Sequence, residues 1–289
     1  MGIAEVIPGV SGSTLALIMG IYDDFILLLH QVSTFIKELA KFLIGKSSVT
    51  NLKKEFLAID FLFGIKLFSG MFMTVLVFSN ILTYLFETYP HYLLAVFYGI
   101  IFASIKVPFA RIKKPEIKEW AIIILTALIF FVIFGLKATT QLEGAPLWYV
   151  FIGGVIGISG MVLPGISGSF LLYLLGIYEL IISTVSALTK FQFNTNNILT
   201  IGVFFAGIMT GFVTFIRLVK YALVHKHNLI MAFVTGLLIA SLRAVWPFKD
   251  GTDNINIYLT ILIVLVAYII TALFVKFSKS EKKLTVEKI

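Results

Sequence analysis

The chain has 289 residues, 59% of them hydrophobic and 13% charged, with a formal net charge of +8 and a mean hydropathy of +1.02. A soluble domain carries about 45–50% apolar and about 25% charged residues, so this composition excludes a water-soluble enzyme. Cys is absent, which excludes disulfides, thiol catalysis and cysteine-held metal. His30, His91, His225 and His227 fall near the ends of apolar runs, so neither a metal nor a cofactor is expected.

A spanning helix needs roughly 20 apolar residues. In chain order, that length predicts an apolar hairpin at 1–29 and an amphipathic segment at 31–45. Spans follow at 58–86, 91–109 and 120–137. A second hairpin covers 147–187, with spans at 198–219, 228–247 and 256–277 and a basic tail at 278–289. The segment 31–45 has Val32, Phe35, Ile36, Leu39, Phe42 and Leu43 at helical spacing, with Lys37 and Lys41 between, and reads as a helix lying in the membrane interface. The region 147–187 is too long for one helix and has Pro164-Gly165 in its middle. Its arms of about 16 and 18 residues would each reach about 24–27 Å, which suits a hairpin, either re-entrant or as two short crossings. Residues 1–10 carry no basic leader and do not read as a cleaved signal peptide.

Charge gives the orientation. With 30–57 cytoplasmic, 110–119, 220–227 and the tail 278–289 share that side, and together they hold 15 Lys and Arg. The opposite loops hold only Lys190 and Lys249. The basic balance therefore reads as the positive-inside signal of a multi-pass protein in a bacterial cytoplasmic membrane, with its C-terminus inside, and not as a nucleic-acid footprint.

The chain repeats itself. Pro8-Gly9-Val10-Ser11-Gly12-Ser13-Thr14-Leu15 recurs as Pro164-Gly165-Ile166-Ser167-Gly168-Ser169-Phe170-Leu171. Gly20-Ile21-Tyr22-Asp23 recurs as Gly176-Ile177-Tyr178-Glu179, and nine of sixteen aligned positions are identical without a gap. A second pair sets Gly99 and Ala103-Ser104-Ile105-Lys106 against Gly236 and Ala240-Ser241-Leu242-Arg243. Each half reads as one hairpin plus three spans, over 1–137 and 147–277. Three is odd, so the second half enters the membrane inverted. The expected fold is thus all-α: a polytopic membrane protein with two inverted-topology repeats, each a broken or re-entrant helical hairpin plus three transmembrane helices. Transporters recurrently use this plan, with the site at the midplane. The second hairpin has about sixteen apolar residues before its Pro and the first only seven, so a first arm reaching upstream of Met1 is expected.

Pro ends a helical approach, Gly permits the break, and Ser-Gly-Ser opens a new helix with hydroxyls and free N–H groups at its start. Such a start attracts anions, phosphate above all. The expected substrate site comprises Pro8, Gly9, Ser11, Gly12, Ser13 and Thr14 with Pro164, Gly165, Ser167, Gly168 and Ser169. The competing reading is a close-packing break whose Ser bond their own backbone. No Lys follows the motif, so it is not a P-loop. Charges inside apolar segments are functional candidates. Lys66 and Arg243 are candidate phosphate partners, with snorkelling the alternative for Arg243, Lys106 and Arg217. Glu5, Asp60, Asp23 and Glu179 are candidate coupling or protonation sites.

At these residues the sequence resembles the bacterial polyprenyl-phosphate (undecaprenyl-phosphate) translocases of the PopT type, formerly a membrane family of unknown function. Residues 2–14, Gly20-Ile21-Tyr22 and 163–169 carry the resemblance, which covers most of the chain. The family commonly has Gly where Ser13 stands. The resemblance implies a transporter that returns undecaprenyl phosphate from the outer to the inner leaflet, recycling the lipid carrier of cell-wall synthesis. Its expected partners are undecaprenyl phosphate or a related anionic lipid and a coupling proton or ion. The alternatives are a transporter or channel for another small anion or lipid and, third, a membrane lipid phosphatase. The last would need a nucleophile with a base or a metal.

Overall fold

In the computed structural model, residues 1, 2, 4, 11–136, 142, 144–191, 193–248 and 256–286 are described. Among them the chain is all-helical. The first break is followed by α1 (Gly12–Ile18) and α2 (Tyr22–Leu43), then α3 (Val49–Leu57), α4 (Phe61–Thr88), α5 (Pro90–Ser104), α6 (Lys106–Phe109) and α7 (Ile117–Gly135). The second part comprises α8 (Leu147–Val162), α9 (Gly168–Leu174), α10 (Tyr178–Thr189), α11 (Thr195–His225), α12 (His227–Ser241) and α13 (Ile257–Val286). Among the described residues, five helical stretches are long and apolar enough to cross a bilayer, six if α9 and α10, bent by 114° at their junction, count as one broken span. Leu62, Phe72 and Leu76 on α4 and Ile261, Leu265 and Ile270 on α13 are exposed. Such faces suit hydrocarbon, where a helix satisfies its own backbone.

Local chemistry fixes the element ends. Asp60 caps α4 by accepting from the Phe63 N–H at 3.0 Å. Glu116 and Glu119 form a reciprocal capping box at the start of α7. Pro108 sits four residues beyond Ser104, where its ring crowds the Ser104 carbonyl and offers it no N–H, and α5 ends there. The expected division at residue 30 between a hairpin and an interfacial helix is absent. No Gly or Pro lies between Ile21 and Ile44, and α2 runs unbroken through both. Likewise α13 continues from the last span into the basic tail as far as Val286.

The sequence repeat has a conformational counterpart. After each break comes a seven-residue helix, α1 or α9, started by Ser11 (φ −111°, ψ 134°) or Ser167 (φ −100°, ψ 132°). Each ends in the same hydrogen-bond pattern. Gly20 N–H donates to Leu17 O and Ile21 N–H to Ala16 O, as Gly176 does to Tyr173 and Ile177 to Leu172. This is a Schellman closure, which needs the left-handed backbone that Gly20 and Gly176 supply at φ 69° each.

Packing interleaves the halves. The short helix α5 lies along α13, and α12 lies along α7. Gly99 and Gly236, the paired glycines of the second sequence repeat, sit at these two crossings. A Cβ on Gly99 would meet Val264 O at 2.4 Å and Ala267 Cβ at 2.8 Å; one on Gly236 would meet Ile123 O and Thr126 Cβ, each at 2.7 Å. Close backbone approach through small residues is how helices associate where lipid is as apolar as they are. The core joins Leu17, Tyr22 and Ile26 near the first break to Val162, Leu163 and Ile166 at the second and to Val234, Leu237 and Leu238 of α12.

Gly99→Leu and Gly236→Leu are expected to destabilise the fold by similar amounts, of order 1–3 kcal/mol each from overpacking. Gly70→Leu, on an open face with nothing within 4 Å of the added carbon, should be near neutral. Thermal unfolding of the three purified variants in one detergent checks this order.

Candidate functional site

The helix start that follows the Pro8-Gly9 motif meets the Pro164-Gly165 break inside the protein. Thr14 Oγ1 accepts a hydrogen bond from the Gly165 N–H at 2.9 Å, across 151 residues of sequence. Ser11 Oγ and Ser13 Oγ are 2.6 Å apart, and Ser167 Oγ and Ser169 Oγ are 2.8 Å apart. The repeat is therefore kept at the level of side-chain pairing. Neither Ser11 nor Ser167 caps its own helix, as its position would allow. Ser13 and Thr14 are fully buried, Ser11 and Ser167 nearly so, and Ser169 is half-buried.

This is not the arrangement of serines that merely satisfy their own backbone. Ser11 Oγ reaches across to the carbonyls of Gly160 at 3.5 Å and Leu163 at 3.4 Å, both at the last turn of α8. Those separations are at the outer limit for O–H···O, where good bonds lie near 2.7–2.8 Å. The Ser11 hydroxyl is thus held mainly by Ser13 and only weakly by these carbonyls, and a charged acceptor would hold it more strongly than they do. Tyr22 Oη donates to Val162 O at 3.3 Å, tying α2 to the same turn. Gly165, at φ 89°, presses its backbone against Leu237 and Leu238 of α12, where a Cβ would come within 3.1–3.2 Å. Gly160 faces Gly168, so the two arms of the second hairpin touch through backbone. Because α1 and α9 have seven residues each, the hydroxyls supply the polarity here more than any helix dipole does.

Beside the second pair opens a cavity of about 260 Å³ with Ser169 and Gly168 on one wall and Gly157, Ile158, Phe204 and Ile208 on the others. Ile158, Met161 and Ile208 also line a second cavity of about 300 Å³, whose walls are wholly apolar and include Val32, Phe68 and Phe212.

Of the predicted site residues, the structure gathers Ser11, Gly12, Ser13, Thr14, Pro164, Gly165, Ser167, Gly168 and Ser169 in and around this contact. Glu5, Pro8 and Gly9 lie outside the described residues. Lys66 is exposed on α4, with no described contact to the serines. Arg243 is held at the end of α7, where Nη1 donates to Phe131 O at 2.9 Å and the guanidinium lies 4.4 Å over the Phe131 ring. A cation favours a helix C-terminus, and this placement accounts for Arg243 without a substrate. Asp60 is occupied as the α4 cap, and Glu179 is exposed in the first turn of α10. Asp23, in the first turn of α2, pairs with Arg111. Sequence reading missed Tyr22 as a strut and Arg111 as a partner. The signal for Tyr22 was present in its repetition as Tyr178, whereas Arg111 was visible only as loop charge. Among the described residues, no group of three or more His, Asp or Glu is placed to hold a metal.

The chain is similar to known membrane transporters. A family model described as undecaprenyl phosphate translocase-like matches residues 1–258. A polyprenyl-phosphate transporter of Vibrio cholerae is 31% identical over 251 residues, 86% of this chain and 76% of that protein. A polyprenyl-phosphate transporter of Staphylococcus aureus is 27% identical over 223 residues, 73% of this chain and 77% of that protein. No solved structure matches the chain.

Thr14→Val is expected to leave the buried Gly165 N–H without its acceptor. The cost of such a group is about 1–3 kcal/mol, and Thr14→Ser should recover most of it. Reversible unfolding in mixed micelles measures the difference; a Val variant as stable as the parent would show that the bond contributes nothing.

Proposed function

The chain belongs to the undecaprenyl phosphate translocase-like family, and on that premise we propose that it carries undecaprenyl phosphate across the bilayer, its phosphate taken by the hydroxyls of the two serine-bearing breaks. The observation that carries this reading is the joining of the breaks. Two duplicated polar segments are buried and hydrogen-bonded to one another in a chain whose other buried residues are mostly apolar. Polar groups in a membrane interior are costly and are retained where a pathway needs them.

In this reading the phosphate replaces the contacts that the breaks now make. The Ser11–Ser13 and Ser167–Ser169 pairs turn their hydroxyls to phosphate oxygens, and the Gly165 N–H exchanges Thr14 for the anion. The polyprenyl tail stays in an apolar phase throughout. It needs no polar partner, so the protein has only the headgroup to shield. Two repeats of inverted topology would expose the site to one leaflet and then the other by rocking about their contact. We take the direction as outer to inner leaflet in the bacterial cytoplasmic membrane, with the basic loops and C-terminus inside, serving recycling of the cell-wall lipid carrier. A proton or ion gradient is the proposed driver. The chain acts as a transporter, in keeping with the transporter relatives, and performs no covalent chemistry on the lipid.

The test is reconstitution of the full chain into liposomes containing undecaprenyl phosphate, with an added phosphatase reporting on headgroups in the outer leaflet. The expected result is cleavage of nearly the whole pool, against about half in protein-free vesicles. Inorganic phosphate in large excess should barely slow it. Cleavage that stops at the protein-free level would contradict the proposal, and strong competition by inorganic phosphate would point to a small-anion carrier. Ser11→Ala combined with Ser167→Ala should slow the second half of the reaction at least about tenfold, the loss expected from two charge-assisted hydrogen bonds.

A further inference from the structure

A second cluster of polar groups lies one residue away from the central site. Tyr22 bonds the last turn of α8, and its neighbour Asp23 points the other way, into a cavity of about 250 Å³. The polar walls of this cavity are Asp23, Arg111, Lys220 and His227, and its apolar walls include Leu27, Leu223 and Val224. The residues come from separate parts of the fold: α2, the turn after α6, the last turns of α11 and the first residue of α12. The cavity therefore forms only when both halves are assembled.

We propose that this cavity is a second phosphate-binding site on the transport path, at the end of the bundle where the basic loops lie, and that Asp23 occupies it in place of the phosphate when it is empty. The proposal rests on the reading of the chain as a polyprenyl-phosphate transporter. Three observations carry it. First, the wall charges do not balance. Among the described residues, Asp23 is the one carboxylate on the cavity and is matched by Arg111, while Lys220 and His227 face the same space, and no described ion pair includes Lys220. A phosphate monoester carries about −1.5 to −2 charges at neutral pH and would balance the cluster better than one carboxylate does. Second, the Asp23 carboxylate sits on the Arg111 guanidinium as a phosphate would, because Arg binds either group with the same planar fork. The Asp23 side chain is 54% exposed and that of Arg111 29%, so the pair stands at an open mouth and can be displaced. Third, the lining sets two cations, Arg111 and Lys220, beside four aliphatic side chains, which fits a phosphate esterified to a hydrocarbon chain better than a free ion. Adjacent positions on α2, Tyr22 and Asp23, link the central contact to this cavity.

The test uses the full chain in nanodiscs of zwitterionic lipid, with geranyl phosphate as the probe in titration calorimetry. Arg111→Gln and Lys220→Gln should each weaken binding at least about tenfold, the scale of one lost charge-assisted hydrogen bond. Asp23→Asn should tighten it several-fold, because it removes the resident competitor and leaves both cations in place. The same changes should appear in a Ser11→Ala, Ser167→Ala background, which separates this cavity from the central one. Inorganic phosphate and phosphatidylglycerol should each compete weakly. Lys220→Gln breaks no described ion pair, so it keeps the test informative should the Arg111 variant fold poorly. Weaker or unchanged binding on Asp23→Asn, with Lys220→Gln equal to the parent, would mark the pair as a structural salt bridge and overturn the proposal. Equal displacement by phosphatidylglycerol would make the cavity a general anionic-lipid site and overturn it too. If the parent chain moves undecaprenyl phosphate in liposomes while these variants bind unchanged, only this inference falls. If the parent moves none, the transport reading falls first.

Discussion

Inside a bilayer a backbone N–H has no water to fall back on, and a helix that breaks there must find partners for its freed groups within the protein. That constraint shapes this fold. A helix breaks at Pro164-Gly165, and the freed Gly165 N–H finds its partner in the helix start that follows the Pro8-Gly9 motif: Gly165 donates to Thr14. This contact is then held in place by what surrounds it. Tyr22 fixes α2 to the end of α8, and the backbone of α12 closes over Gly165. The interleaved pairs α5 with α13 and α12 with α7 bind one half to the other around this point.

The same constraint would make the proposed site switchable. A contact built from hydroxyls and one N–H gives up little when an anion with several acceptor oxygens replaces it, because donors and acceptors stay matched before and after. The weak Ser11 contacts to Gly160 and Leu163 are the ones that such an exchange would improve. The molecule as described has its central polar groups turned on each other, which is how a carrier is expected to rest between substrates without stranding polar groups in an apolar interior. In the proposed second site the Asp23–Arg111 pair would apply the same device, with a carboxylate standing where a phosphate is proposed to go.

Much of this was legible in the sequence. Duplication of Pro-Gly-x-Ser-Gly-Ser pointed to the break at Pro164-Gly165 and to the matching helix starts after Ser11 and Ser167, and the recurring Gly-Ile-Tyr marked the turn that closes each short helix. Gly99 and Gly236 were visible as a pair, but their role was not. Which helix a glycine faces is a tertiary fact, and the pairing across halves puts α13 on one and α7 on the other. Arg243 shows the limit from the other side. A cation near an apolar segment reads as a candidate phosphate partner, yet its guanidinium bonds the Phe131 carbonyl near the end of α7, and no periodicity reveals where another helix ends. The single helix from Tyr22 to Leu43 was hidden by its composition. Its first half is apolar and its second amphipathic, and a change of environment along a helix looks like a boundary when only hydropathy is read.

The central claim is that the substrate phosphate sits between the two breaks. A structure of the full chain with undecaprenyl phosphate bound tests it most directly. The account predicts the phosphorus within hydrogen-bonding reach of the Ser11 or Ser13 hydroxyl on one side and the Ser167 or Ser169 hydroxyl on the other, with the Thr14–Gly165 bond opened. A bound lipid whose phosphate lies elsewhere, with Thr14 and Gly165 still joined, would contradict it.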